Sequence, residues 1–267
     1  MSVRPRAALF VFHDLVTATQ LRDVPLSHHP YALPVEDFRA FLLAGRATGR
    51  RTVPAGQVPD ELGGLFYSLT FDDGHESDYV EAFPVLNELD LRATFFVVPT
   101  LVDTPGHVTW SQLREMTATG MEIGSHSLTH PFVDRLDRAA LRREFGDSKA
   151  MIEDRLGAAV RSASLPRGWP SPMLAPVLED LGYRAFCTSR AGWWHPGDRP
   201  LAIPRIGACR GMAIEEFAAI ANAERRSLWR LQAMETAKRA VKACVGRRGW
   251  RRLREPLLRL RYPEAAR

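Results

Sequence analysis

Cysteine is scarce in this sequence, with Cys187, Cys209 and Cys244 as its three copies in 267 residues. Their number is odd, they lie far apart, and no two of them form a Cys-x-x-Cys pair. A disulfide framework and a zinc knuckle both need paired or closely spaced cysteines, so the sequence argues against both. The cysteine pattern fits a reducing compartment best.

Long apolar runs are also absent. No stretch approaches the roughly 20 apolar residues that a membrane-spanning helix needs, so we do not expect an integral membrane protein. Basic residues precede the apolar run at residues 7–12, but His13 and Asp14 follow it at once. A run of about six residues is too short for the apolar region of a signal peptide. We interpret this run as the first strand and expect a cytoplasmic protein.

Positive charge is concentrated at one end of the chain. The formal net charge is +5, from 36 basic and 31 acidic side chains. Residues 224–267 carry 14 Lys or Arg against 4 Glu, a balance of +10, which leaves residues 1–223 with 22 basic and 27 acidic groups, a balance of −5. We therefore predict a main domain over residues 1–223 and a basic tail over residues 224–267.

Short apolar runs alternate with segments of helical periodicity in the main domain. Strands are expected at residues 7–12, 65–71, 92–98, 121–125, 160–166, 183–189 and 201–206. Helices are expected at residues 34–49, 78–89, 109–120, 137–156, 171–182 and 214–221. Thr109 is expected to cap the third of these helices. Six or seven strands in this alternation predict either a β/α barrel or a doubly wound sheet.

Two adjacent carboxylates, Asp72 and Asp73, directly follow the expected strand at residues 65–71, and Gly74 comes next. Asp-Gly is common turn chemistry, so these residues taken alone fit a simple turn. In a β/α barrel, however, functional groups collect at the carboxyl ends of the strands. In that fold the two carboxylates point into the mouth of the barrel.

Two histidines four residues apart, His126 and His130, follow the expected strand at residues 121–125. If this segment turns helically, the spacing puts both rings on one side, where they can share a metal ion. A solvated turn explains the two histidines alone equally well. Together with the aspartates, they supply the two histidines and one carboxylate of an open metal site, and a second carboxylate for acid–base chemistry.

These motifs resemble those of the polysaccharide deacetylases with a NodB homology domain, carbohydrate esterase family 4. The resemblance rests on TFDDG at residues 70–74, HSLTH at residues 126–130, the strand RATFFVV between them and FVFHDLV near the start. It spans roughly residues 7–221, most of the chain. It implies a distorted (β/α)7 barrel of the NodB type, here followed by the basic helical C-terminal tail.

The resemblance assigns roles to four residues. It implies that Asp72 is the general base and that Asp73, His126 and His130 bind a divalent metal, usually zinc. The implied reaction is metal-dependent hydrolysis of an N-acetyl group, or less favourably an O-acetyl group, on a saccharide or glycolipid. An acetamide carbon is a poor electrophile, so the metal must polarise its carbonyl and lower the pKa of a water from about 16 toward 7. A carboxylate bound to the cation is a weaker base, which explains the need for two aspartates.

The sequence departs from the family pattern in two places. Many members carry an Arg-Pro-x-Phe/Tyr stretch that orients the base, whereas the corresponding SLPRGWP keeps Pro166 and Gly168 with Arg167 displaced. These three residues are candidates for substrate binding. The family's late Leu-x-x-His, whose histidine protonates the leaving amine, has no counterpart, because the last histidine of the chain is His195.

His13, at the end of the first expected strand, is our leading substitute for that acid, and His75, next to the aspartates, is a weaker one. A structural histidine under a loop explains His13 about equally well. Without an acid, the alternative is a catalytically impaired carbohydrate-binding protein of the same fold. In the loop at residues 192–200, Trp193 or Trp194 either stacks on a sugar face or packs on its own domain.

The tail also has helical periodicity, with apolar residues at helical spacing between arginines and lysines. One interpretation is a terminal helix that packs on the barrel and exposes a solvated basic face. The other is peripheral contact with anionic lipid at the inner face of a membrane, next to a lipid-linked sugar. The tail lacks a recognisable nucleic-acid-binding motif, so we expect no nucleic acid partner.

Overall fold

The structure, a computed structural model, describes residues 6–61, 65–224 and 226–263. The strands among these residues are β1 (Ala8–Phe12), β2 (Asp14–Val16), β3 (Ala32–Pro34), β4 (Arg51–Thr52), β5 (Phe66–Asp73), β6 (Thr94–Val97), β7 (Glu122–Ser125), β8 (Ser162–Ser164), β9 (Ala185–Cys187) and β10 (Ile206–Gly207). The α-helices are α1 (Val35–Ala47), α2 (Phe83–Glu88), α3 (Trp110–Ala118), α4 (Arg138–Leu156), α5 (Leu174–Asp180), α6 (Ile214–Ala221) and α7 (Trp229–Arg261).

Seven parallel strands form one curled sheet in the order β10-β1-β5-β6-β7-β8-β9. Strand β4 adds to β5 outside this path, and β2 pairs with β3 in a separate parallel ladder. The described residues contain no ladder between β9 and β10, although Cys187 forms an isolated bridge with Ile203 near that gap. The sheet is therefore a barrel that is not fully closed, which confirms the predicted distorted (β/α)7 fold.

Aromatic side chains fill the space between the sheet and the helices. The Phe71 ring stacks between the rings of Phe12 and Phe95, at centroid distances of 5.1 and 4.5 Å. The Phe217 ring of α6 stacks on the Phe10 ring of β1 at 4.0 Å. Because a parallel sheet of this kind is covered on both faces, β5 is buried along nearly its whole length. This packing fixes the position of the carboxyl end of β5.

Helix ends follow the capping chemistry of the sequence. Thr109 accepts a hydrogen bond from the Gln112 N–H, and the Gln112 side chain accepts one from the Thr109 N–H, which forms a capping box and confirms the predicted N-cap of α3. The Asp137 side chain accepts a hydrogen bond from the Ala140 N–H and caps α4 without such a box. The helix expected at residues 78–89 instead consists of a π-helical segment (Asp78–Ala82) followed by α2.

The basic tail contains the long helix α7, which is interrupted at Gly246 by a residue with φ 63° and ψ −177°. Both ends of this helix contact the barrel, since Leu228 belongs to the main core cluster and Tyr262 is buried beside His29. No helix of the described chain is long and apolar enough to cross a membrane. Residues 1–5, at the start of the predicted main domain, lie outside the described residues. Residue 225 and residues 264–267 of the predicted basic tail lie outside them as well.

Candidate active site

The carboxyl end of β5 carries two aspartates in different environments. Asp72 is 3% exposed, whereas the side chain of Asp73 is 25% exposed. Asp73 and Gly74 have left-handed φ angles of 80° and 72°. Glycine adopts such angles freely, but for an aspartate they are uncommon and are typical of functional sites. This turn ends the strand and leaves one carboxylate buried and the next one partly open to solvent.

His126 and His130 come together through a bend and not through a helical turn. The segment after β7 is not helical, and Ser127 and His130 have left-handed φ angles of 64° and 56°. The His130 N–H donates to Ser127 Oγ at 3.0 Å, which closes the bend. The two imidazole centroids lie 4.9 Å apart. The helical explanation of their spacing is therefore wrong, although the two rings do lie together.

Asp73, His126 and His130 form a cluster of metal-ligating atoms. Asp73 Oδ1 lies 3.4 Å from His126 Nε2 and 3.3 Å from His130 Nε2. One ligand atom from each residue lies within 4.8 Å of the others, and no other such group of three occurs in the described part of the chain. Two imidazole nitrogens and one carboxylate oxygen are a donor set of open zinc sites, so these residues fit a divalent metal.

The protonation state of His130 also suits a metal ligand. Burial and the neighbouring charge of His126 lower the pKa of His130 to about 4. Its imidazole is therefore neutral at pH 7, which is the form that binds a metal ion.

Arg205 holds the buried aspartate in place. Its guanidinium donates two hydrogen bonds to Asp72, from Nη1 to Oδ1 and from Nη2 to Oδ2, both 2.7 Å long. Arg205 is 2% exposed, and it also donates to Thr70 Oγ1 and to the Thr188 carbonyl. Burial alone would raise the pKa of Asp72, but the charge and hydrogen bonds of Arg205 hold that pKa below its usual value. Asp72 is therefore an oriented anion at neutral pH.

Ser164, at the end of β8, connects the buried aspartate to one of the histidines. Its Oγ donates to Asp72 Oδ1 at 3.1 Å and is also hydrogen-bonded to His126 Nδ1. Since the hydroxyl proton is directed at Asp72, the bond to His126 requires a proton on Nδ1. That tautomer leaves the lone pair of His126 Nε2 free on the side of Asp73, as a metal ligand requires.

His13 lies between β1 and β2, at the same end of the barrel. Burial lowers the pKa of His13, and the negative charges of Asp72 and Asp73 act in the opposite direction. Its ring lies 4.8 Å from the ring of Tyr31. The structure thus places His13 within electrostatic reach of both aspartates.

Two other histidines, His75 and His195, are not part of the ligand cluster. His75 Nε2 lies 3.7 Å from Asp73 Oδ2, beside the ligand cluster. His195 is hydrogen-bonded to Asp198, three residues further along its own loop, at 3.3 Å.

The segment that contains Pro166, Arg167 and Gly168 follows β8 directly and lies beside the histidines. Arg167 Nε donates to the His130 carbonyl at 2.8 Å, and its guanidinium lies 4.7 Å from the centroid of the Phe132 ring. Arg167 and Gly168 have left-handed φ angles of 58° and 68°. Arg167 therefore borders the site without contacting Asp72, and the contact with the base is made by Arg205.

Trp193 lies at the opposite end of the barrel. The backbone of its neighbour Trp194 forms an antiparallel bridge with Ala7, just before β1, and Trp194 is buried. The Arg6 guanidinium lies 5.4 Å from the centroid of the Trp193 ring. The loop after β9 thus runs back along the sheet to the start of β1. Trp193 is partly buried against the main core cluster, so of the two alternatives, stacking on a sugar face and packing on its own domain, the contacts favour the second.

Arg205 and Ser164 are the functional contacts that sequence reasoning missed. Arg205 had a weak signal, because it is the one charged residue in LAIPRI at residues 201–206, and a charge inside an apolar run needs a buried partner. Ser164 had no such signal, since a small polar residue at a strand end is common.

Comparison with known proteins agrees with this fold. Residues 63–186 match the family model described as Polysaccharide deacetylase. A relative from Bacillus subtilis (strain 168), YxkH, is 28% identical over 151 residues, which cover 57% of this chain and 54% of that protein, so the chain spans about half of its length. A chitooligosaccharide deacetylase of Sinorhizobium fredii is 32% identical over 168 residues, which cover 59% of this chain and 74% of that protein.

Solved structures share the fold. The Streptococcus pyogenes deacetylase PplD in complex with acetate superposes with a TM-score of 0.72 at 21% identity, covering 80% of this chain and 96% of that one. The identity is too low to carry more than the fold, but the fold and the sequence matches agree. The chain belongs to the polysaccharide deacetylase family.

Proposed function

We propose that this protein is a metal-dependent hydrolase that removes an N-acetyl group from a saccharide or a lipid-linked sugar. The observation that carries the proposal is that two adjacent aspartates contact different partners. Asp73 lies against His126 and His130, whereas Asp72 is held by Arg205. Relatives named as chitooligosaccharide deacetylases support an N-acetylated sugar as substrate, and an O-acetyl group is the less favoured one.

Asp73, His126 and His130 would hold the divalent metal, with zinc as the expected ion because two nitrogens and one oxygen suit it. The chemistry that such an ion supplies is polarisation of an acyl oxygen and acidification of water. Ser164 positions one of the proposed metal ligands, because its hydrogen bond to His126 Nδ1 fixes the ring orientation and the tautomer of that histidine.

Asp72 acts as the general base in this proposal. It takes the proton from the attacking water, whose oxygen bonds to the acetyl carbon, and the carbon–nitrogen bond then breaks to give acetate and an amine. The amine needs a proton to leave, and His13 is the proposed donor because it follows β1 at this end of the barrel, where the charges of Asp72 and Asp73 favour its protonated form against the effect of burial. The segment that contains Pro166, Arg167 and Gly168 is proposed to contact the sugar, since Arg167 borders His130.

A second candidate function is a catalytically impaired carbohydrate-binding protein of the same fold. One observation favours it: the sequence has no late Leu-x-x-His, and its last histidine, His195, pairs with Asp198 of its own loop. The two functions differ in turnover, so a single assay separates them.

The assay is acetate release from a panel of N-acetylated and O-acetylated oligosaccharides and lipid-linked sugars, with and without added zinc. The hydrolase proposal expects zinc-dependent release from at least one N-acetylated substrate, and Asp72→Asn serves as the matched inactive control. Saccharide binding without acetate release from any substrate would reject the hydrolase and support the impaired protein.

We also propose that the tail holds the protein at the cytoplasmic face of a membrane. After the interruption at Gly246, α7 exposes Leu253, Leu257 and Leu260, which recur at i, i+4 and i+7 and so share one face. The tail's charge balance of +10 suits the anionic inner leaflet, where each basic side chain near the surface adds about 1 kcal/mol. The competing interpretation, a helix that packs on the barrel, is supported by the contacts at its two ends.

Vesicle co-sedimentation separates these interpretations. The full chain is compared with a variant in which Leu253, Leu257 and Leu260 are replaced by glutamine, because this change leaves the buried Leu228 and Tyr262 in place. Salt-sensitive binding to anionic vesicles that the variant loses supports the membrane role. Equal binding of both proteins, or no binding of the full chain, leaves only the structural role.

A further inference from the structure

An open groove with a volume of about 440 Å³ lies at the end of the barrel opposite the aspartates and histidines. It opens between the end of α1, the start of β4 and the segment that precedes β6. Four arginines line it, Arg46, Arg50, Arg51 and Arg92, and we call it the arginine pocket. Its volume falls in the range of small-molecule sites, roughly 300–1,000 Å³.

The positive charge of the arginine pocket is only partly compensated. Arg51 pairs with Glu61 at 2.6 Å, and Arg92 pairs with Asp90 at 3.1 Å. Asp90 is the one acidic residue in the lining. Arg46 and Arg50 form no ion pair with a described residue. Two guanidinium groups of the pocket are therefore without a counter-charge in the described chain.

Arg50 shows in addition an unmet hydrogen-bonding demand. Its Nη1 is buried and has no hydrogen-bond partner among the described residues. A buried donor without an acceptor is costly, and most such groups in native proteins are satisfied by some partner. The nearby charge of Arg6 adds repulsion, since burial and Arg6 together lower the pKa of Arg50. The Arg50 side chain thus has both a donor without a partner among the described residues and an uncompensated positive charge.

We propose that the arginine pocket binds a phosphate-type dianion, the phosphate monoester or diphosphate group of a small solute or of a lipid headgroup. A guanidinium presents two parallel N–H groups that match two oxygens of a phosphate, and Arg46 and Arg50 supply two such forks. A dianion would compensate both unpaired charges. This site is separate from the metal-ligand cluster and adds a binding function to the proposed hydrolase.

The first test is titration calorimetry of the zinc-loaded full chain with inorganic phosphate and with diphosphate. The variant Arg46→Gln/Arg50→Gln removes the two unpaired charges, and the matched control Arg138→Gln/Arg142→Gln removes two exposed charges that pair with Asp180 on α5. We expect one bound dianion in the wild type, roughly tenfold or more weaker binding in the pocket variant, and unchanged binding in the control, since each lost charge-assisted bond exceeds about a tenfold change.

The variant His126→Ala/His130→Ala distinguishes anion binding in the arginine pocket from anion binding at the metal-ligand cluster. Phosphate is also a ligand for metal ions, so binding that survives in the pocket variant and disappears in the histidine variant would place the anion at the metal-ligand cluster and overturn the proposal. Equal affinity of wild type and pocket variant, or no binding by the wild type, would overturn it as well.

A second experiment tests whether the bound phosphate group belongs to a lipid headgroup or to a small solute. Co-sedimentation with vesicles that contain phosphatidic acid is compared for the pocket variant and the Arg138→Gln/Arg142→Gln control. Selective loss in the pocket variant identifies a lipid headgroup as the ligand. Equal sedimentation of the two variants, together with selective loss of soluble diphosphate binding, identifies a small phosphorylated solute.

Discussion

Replacing Arg205 tests the link between the fold and the proposed base. Two hydrogen bonds of 2.7 Å join its guanidinium to the two oxygens of Asp72. Arg205→Lys keeps a positive charge but loses the planar fork, and hence one of the two bonds. A hydrogen bond to a charged group contributes about 1.5–3 kcal/mol. At about 1.4 kcal/mol per factor of ten, we expect kcat/KM to fall roughly ten- to a hundredfold.

Arg205→Gln removes the charge altogether and leaves Asp72 buried without a counter-ion. Breaking a buried ion pair on one side costs about 3–5 kcal/mol, a large share of the roughly 5–15 kcal/mol that stabilises a typical domain. The pKa of Asp72 is depressed in the folded state, so the pair stabilises the fold above the unfolded pKa, and this contribution is lost as pH falls through the folded pKa. The loss in free energy of unfolding caused by Arg205→Gln is therefore expected to be largest at neutral pH and to become smaller below about pH 4.

The assay combines acetate-release kinetics across pH with urea unfolding. Because Arg205 lowers the pKa of Asp72, the acidic limb of kcat/KM should move to higher pH in Arg205→Lys. Arg167→Gln is the control, since Arg167 contacts the His130 carbonyl and not Asp72, and its acidic limb should stay in place. Wild-type kinetics in Arg205→Lys together with wild-type stability in Arg205→Gln would refute the reasoning.

Three further predictions concern single carboxylates and one histidine. Asp72→Asn should bind metal normally but lose roughly a hundredfold or more in kcat, and near-normal turnover would reduce Asp72 to a turn residue. His13→Ala should slow hydrolysis of an acetamide far more than that of an activated acetate ester, whose leaving group needs no proton; an unchanged rate and pH profile would exclude His13 as the acid. Asp78 is buried with both carboxylate oxygens unpartnered among the described residues, and burial raises its pKa well above the usual value. Its charged form therefore destabilises the fold increasingly as pH rises above about 4. Asp78→Asn should raise the free energy of unfolding, measured with urea at pH 8, by about 1 kcal/mol or more. A lower free energy of unfolding in that variant would contradict this prediction.

The position of the ligand cluster could be predicted because it follows from a general property of parallel sheets. Asp73 is the last residue of β5 and His126 directly follows β7, and the carboxyl ends of such strands meet at one end of a barrel. The apolar runs also marked which segments would be strands. The local path of the chain could not be read in the same way. The left-handed φ angle of 64° at Ser127, which brings the two imidazoles together, has no signal in the residue type.

Contacts between distant segments were the least predictable part of the site. Arg205 lies 133 residues after Asp72 and Ser164 lies 92 residues after it, so no spacing in the sequence relates them. The path of the loop that carries Trp193 back to the start of β1 could not be predicted either, because it depends on an isolated backbone bridge to Ala7. Such contacts depend on the packing of the curled sheet and not on local propensity.

The most direct test of a metal-dependent hydrolase is a zinc titration of metal-free protein that follows acetate release and bound metal together. The account predicts that activity returns in proportion to zinc up to about one equivalent. It also predicts that His126→Ala/His130→Ala neither binds that equivalent nor regains activity, since two of the three ligand atoms of the cluster are gone. Full activity of the metal-free protein, or one tightly bound zinc in the histidine variant, would contradict it.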